Sequence, residues 1–90
     1  MARIQFDPLK DAANIAKHGI SLGRAGDMRV LAIIEVDRQG LGEDRFQAFG
    51  LIDDLAHCLV FTERNKSLRA TSLRRAPAKE IERHVKSTQK

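Results

Sequence analysis

Ninety residues are expected to make one domain, 1–90, with a small core. The net charge of +4 is uneven: residues 1–61 hold seven Lys/Arg against nine Asp/Glu, a net of −2, whereas residues 62–90 hold nine against three, a net of +6. That asymmetry points to a polyanion or an acidic protein as partner of the C-terminal third, or to a solvated basic helix at its end. The lone cysteine, Cys58, excludes an internal disulfide. No run approaches the roughly 20 apolar residues of a membrane span, and residues 1–8 hold no signal-peptide stretch, so a cytoplasmic protein without membrane contact is expected.

Residues 3–6 suit a short first strand. Asp7-Pro8 then opens a helix, with aspartate at the N-cap and proline at the first helical position. Leu9, Ala12, Ala13 and Ala16 recur at helical spacing, and Gly19 after Lys17-His18 is a stop signal. Ser21 can cap a further helical stretch over 22–28, which Gly23 and Gly26 weaken. Residues 30–36 are rich in β-branched side chains and read as a strand. A loop over 37–44 follows, then strands over 45–52 and 57–64, broken by Asp53-Asp54. Cys58 lies within the second of these and reads as core filling. A turn over 65–67 leads into a last strand, 68–74, and Pro77 begins a closing helix through about 87, with Ile81 and Val85 inward. The order predicts an α+β domain: N-terminal helices, an antiparallel sheet of about four strands and a C-terminal helix.

The hairpin over 57–74 carries the most distinctive residues. With a three-residue turn, Arg64 faces Leu68, Glu63 faces Arg69, Thr62 faces Ala70, Phe61 faces Thr71, Val60 faces Ser72, Leu59 faces Leu73 and Cys58 faces Arg74. This register opposes unlike charges and joins large apolar groups. A two-residue turn instead sets Glu63 against Leu68. In the first register Leu59, Phe61 and Leu73 form a core face under the helices. Cys58, Val60, Thr62, Arg64, Ala70, Ser72 and Arg74 form an open groove, cationic at both ends. An arginine fork holds two phosphate oxygens and a small hydroxyl adds a third hydrogen bond, so this groove suits successive phosphates of one strand. Arg64 and Arg74 lie roughly 20 Å apart in it. Arginines at strand ends also serve simply to cover an edge with charge.

His18, His57 and His84 are the titratable bases near neutrality. No Cys/His spacing suits zinc, and there is neither a phosphate loop nor a dinucleotide fingerprint, so no metal and no cofactor are expected. His18, beside Lys17 at a helix end, is either a capping residue or a proton-transfer group for phosphoryl chemistry.

Phe6-Asp7-Pro8, Lys10, Asn14 and Lys17-His18-Gly19-Ile20-Ser21 resemble the opening of BrnT-type toxins. Gly42-Glu43-Asp44-Arg45-Phe46 resembles the start of their middle strand. Phe61-Thr62-Glu63-Arg64, followed by Arg69, Ser72, Arg74 and Ala76, resembles their closing hairpin. The resemblance implies a RelE-like ribonuclease fold and the toxin of a type II toxin–antitoxin pair. Such a toxin cuts RNA without a metal, inhibits translation, is neutralised by a BrnA-type antitoxin and meets DNA only through the antitoxin complex. On this resemblance Arg64 and Arg74 stabilise the phosphate and transition state, Lys17 and His18 move protons, and Arg69, Ser72 and Arg75 bind RNA phosphates. The chain departs from the family pattern at Gly23, Gly26 and Asp27-Met28-Arg29, at Pro77, and at His84, where an aromatic residue is common. Those departures motivate a second expectation, a non-catalytic module that holds an antitoxin segment within a DNA-binding repressor complex.

Overall fold

The computed structural model describes residues 4–38, 44–64 and 67–88, with side chains described for all of these except 37, 38, 64 and 84–88. In chain order the elements are β1 (Ile4–Gln5), α1 (Pro8–His18), a 3₁₀ helix (Leu22–Asp27), β2 (Arg29–Arg38), β3 (Asp44–Ile52), β4 (Leu55–Arg64), β5 (Ser67–Arg75) and α2 (Ala78–Thr88). The sheet order is β1-β5-β4-β3-β2. Among the described residues the sheet thus has five strands rather than four, and it is mixed: β1 runs parallel to β5, pairing Ile4 with Leu68 and Gln5 with Arg69.

α1 begins and ends where its capping residues dictate. The Asp7 carboxylate accepts from the Leu9 amide at 2.9 Å, Pro8 fills the first turn, and Gly19 takes a left-handed φ of 74° and returns its N–H to the Ile15 carbonyl at 2.8 Å. The stretch expected as helix over 22–28 is a 3₁₀ helix, capped by Ser21, whose hydroxyl accepts from the Gly23 amide at 3.1 Å. Two glycines in six residues remove the side-chain contacts that would hold a regular α-turn, and the tighter ladder survives as a short piece. Of the loop expected over 37–44, residues 39–43 lie outside the described ones, while 37 and 38 belong to β2.

Asp53 and Asp54 form the β3–β4 turn with φ of 52° and 62°, the left-handed pair a two-residue hairpin demands. β2 reaches β3 so closely at Gly50 that a Cβ there would run into the Arg29 carbonyl. Leu31 and Val36 are extra residues in β2, each marking a bulge against β3.

The hairpin register departs from the expected one at its turn end. Arg64 pairs with Ser67, Glu63 with Leu68, Thr62 with Arg69 and Phe61 with Ala70, so the turn spans two residues instead of three. Thr71 is then a bulge in β5, its hydroxyl donating to the Val60 carbonyl at 3.1 Å, after which Val60–Ser72, Leu59–Leu73 and Cys58–Arg74 pair as expected. The bulge inverts the alternation beyond it. Ala70, expected in the groove, is fully buried in the same core cluster as Leu59, Phe61 and Leu73.

Two apolar clusters sandwich the sheet. On one face Leu22, Ala48, Ile52, Leu59, Phe61, Ala70 and Leu73 pack under α1 and the 3₁₀ helix, with Phe46 stacked on Phe61 at a centroid distance of 5.3 Å. On the other, Phe49 and Cys58 pack against Ala76 and Ile81. The groove expected around Cys58 is therefore not open, because α2 lies on it. The Ala76 amide donates to the Ala56 carbonyl at 2.9 Å, extending the ladder one residue past β5 and starting α2 on this face. Full burial of Phe49 and of Leu73, one on each side, contributes about 2–3 kcal/mol apiece. The side chain of Val85 lies outside the described ones, as does that of His84.

Candidate functional site

The site grows from one buried amide. Beyond Leu68 and Arg69, β5 has no strand on its outer side among the described residues, and the Asn14 side chain of α1 fills that place. Its Nδ2 donates to the Leu73 carbonyl at 2.9 Å and to the Ile20 carbonyl at 2.8 Å, and its Oδ1 accepts from the Leu73 amide at 3.0 Å. A buried asparagine with both ends paired stabilises the fold, whereas a buried amide left unpaired costs about 1–3 kcal/mol. Lys17 and His18 stand three and four positions past Asn14, on the same helix face, and so are held over the edge of β5. Asp11 secures the chain that follows: its Oδ1 accepts from the Ser21 hydroxyl at 2.8 Å and the Leu22 amide at 2.7 Å.

Two depressions adjoin at His18. The first, about 260 Å³, lies between α1 and β5 and is lined by Lys10, Lys17, His18, Thr71 and Ser72. The second, about 310 Å³, lies beyond Gly19 and is lined by His18, Arg24, Asp53, His57 and Arg75. His57 and Arg75 are cross-strand partners at the β3–β4 turn end of the sheet. His57 is 4% exposed, and its Nδ1 sits 2.7 Å from the Leu55 carbonyl. A carbonyl only accepts, so Nδ1 carries a proton. In the neutral ring Nε2 is then the lone pair. The residue lines the depression, and no hydrogen bond of Nε2 forms among the described residues. Arg24 Nη2 holds Asp53 at 2.9 Å and its Nε holds Asp27 at 3.0 Å. The hydrogen bond and charge of Asp53 raise the Arg24 pKa further, so the guanidinium stays charged.

Arg75 has no carboxylate partner among the described residues, whereas Arg74 is spent elsewhere. Its Nη2 pairs with Glu80 of α2 at 3.1 Å and its Nη1 donates to the Arg75 carbonyl at 3.3 Å, an anchor for the last helix. Burial, opposed in part by Arg74, pushes the Cys58 thiol up and keeps it protonated. Among the described residues no three His, Cys, Asp or Glu side chains converge as a metal site would require.

The structure thus brings Lys17, His18 and Ser72 together and sets Arg75 on the far side of His18. It separates the other expected residues from them. Arg69 is exposed beside Gln5 of β1. Arg64 closes β4 seven positions from His57, roughly 23 Å along the strand. Arg24 and Thr71 enter the site with no signal in the sequence, and Lys10 and His57, visible there as a family-like lysine and a titratable base, join it as lining residues. The place of His57 was within reach of the sequence, since the expected Cys58–Arg74 pair places His57 opposite Arg75.

Residues 6–80 match the family model of the ribonuclease toxin BrnT of type II toxin–antitoxin systems. No curated protein matches the sequence. Among solved structures, the 1.1 Å crystal structure of the Brucella abortus ribonuclease toxin BrnT superposes with a TM-score of 0.64 over 86% of this chain and 99% of that one, at 21% identity. The fold is shared at that level, and no helix among the described residues is long and apolar enough to cross a membrane. The family match runs from the cap of α1 to the first turn of α2 and takes in every residue that lines the paired depressions, so this chain belongs to the BrnT family of ribonuclease toxins of type II toxin–antitoxin systems.

Proposed function

We propose that the paired depressions are where this toxin cuts RNA, by attack of the substrate's own 2′-hydroxyl on the adjoining phosphate, without a metal. The observation that carries this reading is the position of His18, shared by both depressions, with a lysine and a hydroxyl on one side and a histidine and an arginine on the other. The reaction needs a base to take the 2′-proton, a cation over the crowded phosphate and an acid for the departing 5′-oxygen. Lys17 and His18 take the proton-transfer roles, and His57 offers a second imidazole through Nε2. Arg75 replaces Arg74 as the cation of the transition state, because the Arg74 guanidinium is engaged by Glu80. Ser72 orients a phosphate oxygen. Arg69 and Arg64 lie farther along the hairpin and suit neighbouring phosphates of a longer strand.

The fold is taken as RelE-like and the protein as cytoplasmic. A BrnA-like antitoxin neutralises it, and DNA is met only through that complex. Expression of the wild type is expected to arrest growth. His18→Ala and Arg75→Ala are each expected to relieve the arrest and to slow cleavage by the purified protein about 10²- to 10⁴-fold. If wild type and His18→Ala leave RNA equally intact, with ribosomes and without, the reading fails.

A further inference from the structure

Past the 3₁₀ helix, no element among the described residues covers the sheet face that carries α1. There a trough of about 460 Å³ runs between the 3₁₀ helix and β2. Ala48, Leu59 and Phe61 form its buried floor, and Met28, Val30 and Ile33 stand around it. Val30 and Ile33 are half exposed, at 48% and 50%. Large apolar side chains lying together around a concave floor mark a place for a partner. The partner does not add to the sheet as a strand, because the Leu31 and Val36 bulges interrupt the outer edge of β2. Side chains must fill the trough instead, and the apolar stripe of an amphipathic helix has the width for it.

The rim says what else that helix carries. Asp44 and Glu63 are direct cross-strand partners, and alternation from Phe46 and Phe61 puts both on the trough's face, at its far end. Glu35, opposite Phe46, belongs to the same end. No ion pair to Asp44 or Glu63 forms among the described residues. Arg38 stands opposite Asp44 in register, so among the described residues the Asp44 and Glu63 pair sets two carboxylates against that one arginine. Like charges set directly opposite one another destabilise a sheet and are relieved by a cation placed over them.

We propose that this trough seats the antitoxin. It takes an amphipathic helix of that protein, apolar stripe down, with lysine or arginine at the end that lies over Asp44 and Glu63. The proposal rests on the reading of this chain as a neutralised toxin, and it is independent of which residues cut RNA.

Two synthetic helical peptides of about 18 residues test it, sharing one Leu/Ala stripe and ending in lysines or in glutamates. Binding to the full chain is followed by fluorescence polarisation. The lysine peptide is expected to bind about tenfold more tightly than the glutamate peptide, with the gap closing at high salt. Ile33→Lys should weaken both at least tenfold, and Asp44→Lys with Glu63→Lys should invert the preference. In cells, Ile33→Lys should go on arresting growth when the co-expressed antitoxin relieves arrest by the wild type. Equal binding of the two peptides, binding indifferent to Ile33→Lys, or relief of both toxins overturns the proposal. A dimer in sedimentation that Ile33→Lys dissociates gives the trough to a second copy and overturns it as well. RNA cleavage is measured in parallel. A wild type that binds the lysine peptide but spares RNA sinks the ribonuclease site alone.

Discussion

The two sides of the 3₁₀ helix show how one sheet face is divided. Toward the β3–β4 turn, Arg24 of the 3₁₀ helix joins His18, His57 and Arg75 around a polar depression. Toward the opposite end, Ala25 and Gly26 of the same helix, with Met28 just past it, join Val30 and Ile33 around an apolar one with carboxylates at its rim. Neighbouring residues of one short helix thus serve two environments that suit different partners. A cationic side favours a polyanion and a carboxylate rim disfavours it, so the two sides differ in the charge of the partner they suit. The anchoring differs too. The cationic side is held by α1 through the buried Asn14 amide, whereas no helix among the described residues covers the trough.

Disconnecting α1 is therefore the sharpest way to separate the two sides. Asn14→Ala leaves the Leu73 amide and the carbonyls of Leu73 and Ile20 without their partner. A loss of about 2–4 kcal/mol is expected in denaturant unfolding, together with loss of cleavage under conditions where the protein remains folded. Binding at the trough should persist there. If Asn14→Ala costs less than about 0.5 kcal/mol, the amide does not hold the cationic side in place.

A smaller effect is expected at the turn below that side. Asp54 holds a φ of 62°, which an L-residue adopts at some cost and glycine adopts freely. Asp54→Gly should raise stability by about 0.5–1 kcal/mol while leaving Asp53, and its pair with Arg24, intact. An unchanged or lowered melting temperature would show that Asp54 makes a compensating interaction in this turn.

The smallest effect is expected behind the sheet, at Cys58, which serves neither side. Its folded pKa lies above the ordinary 9.0 because of burial. The unfolded thiol ionises first, so the contribution is intact below pH 9.0 and is lost as pH climbs toward the folded value. Unfolding midpoints at about pH 8 and about pH 10 should diverge more for the wild type than for Cys58→Val. Parallel decline of the two proteins rules Cys58 out as the titrating group.

Much of this was legible in the residues themselves. Local chemistry announced α1, since Asp7, Pro8 and Gly19 each have a backbone reason to be where they are. The inner half of the hairpin register followed from matching Leu59 with Leu73. The outer half did not, because a two-residue turn compensated by a bulge at Thr71 preserves the inner pairing and cannot be distinguished by side-chain matching there. The side of the sheet taken by α2 was not legible either. It depends on where Pro77 redirects the chain after Ala76, and Cys58 and Phe49 suit burial under any apolar cover. At the site, Lys17, His18 and Ser72 were visible as chemical types. Their meeting depended on Asn14, whose role is set by a strand edge 59 positions away in sequence.

The Asn14 amide also makes its own docking measurable without any substrate. The Leu73 N–H, which points away from β4, stays shielded from deuterium only while α1 lies in place. Its exchange rate therefore times the lifting of the helix, and a tightly held ligand spanning α1 and β5 would slow that one amide before it altered the rest of the sheet.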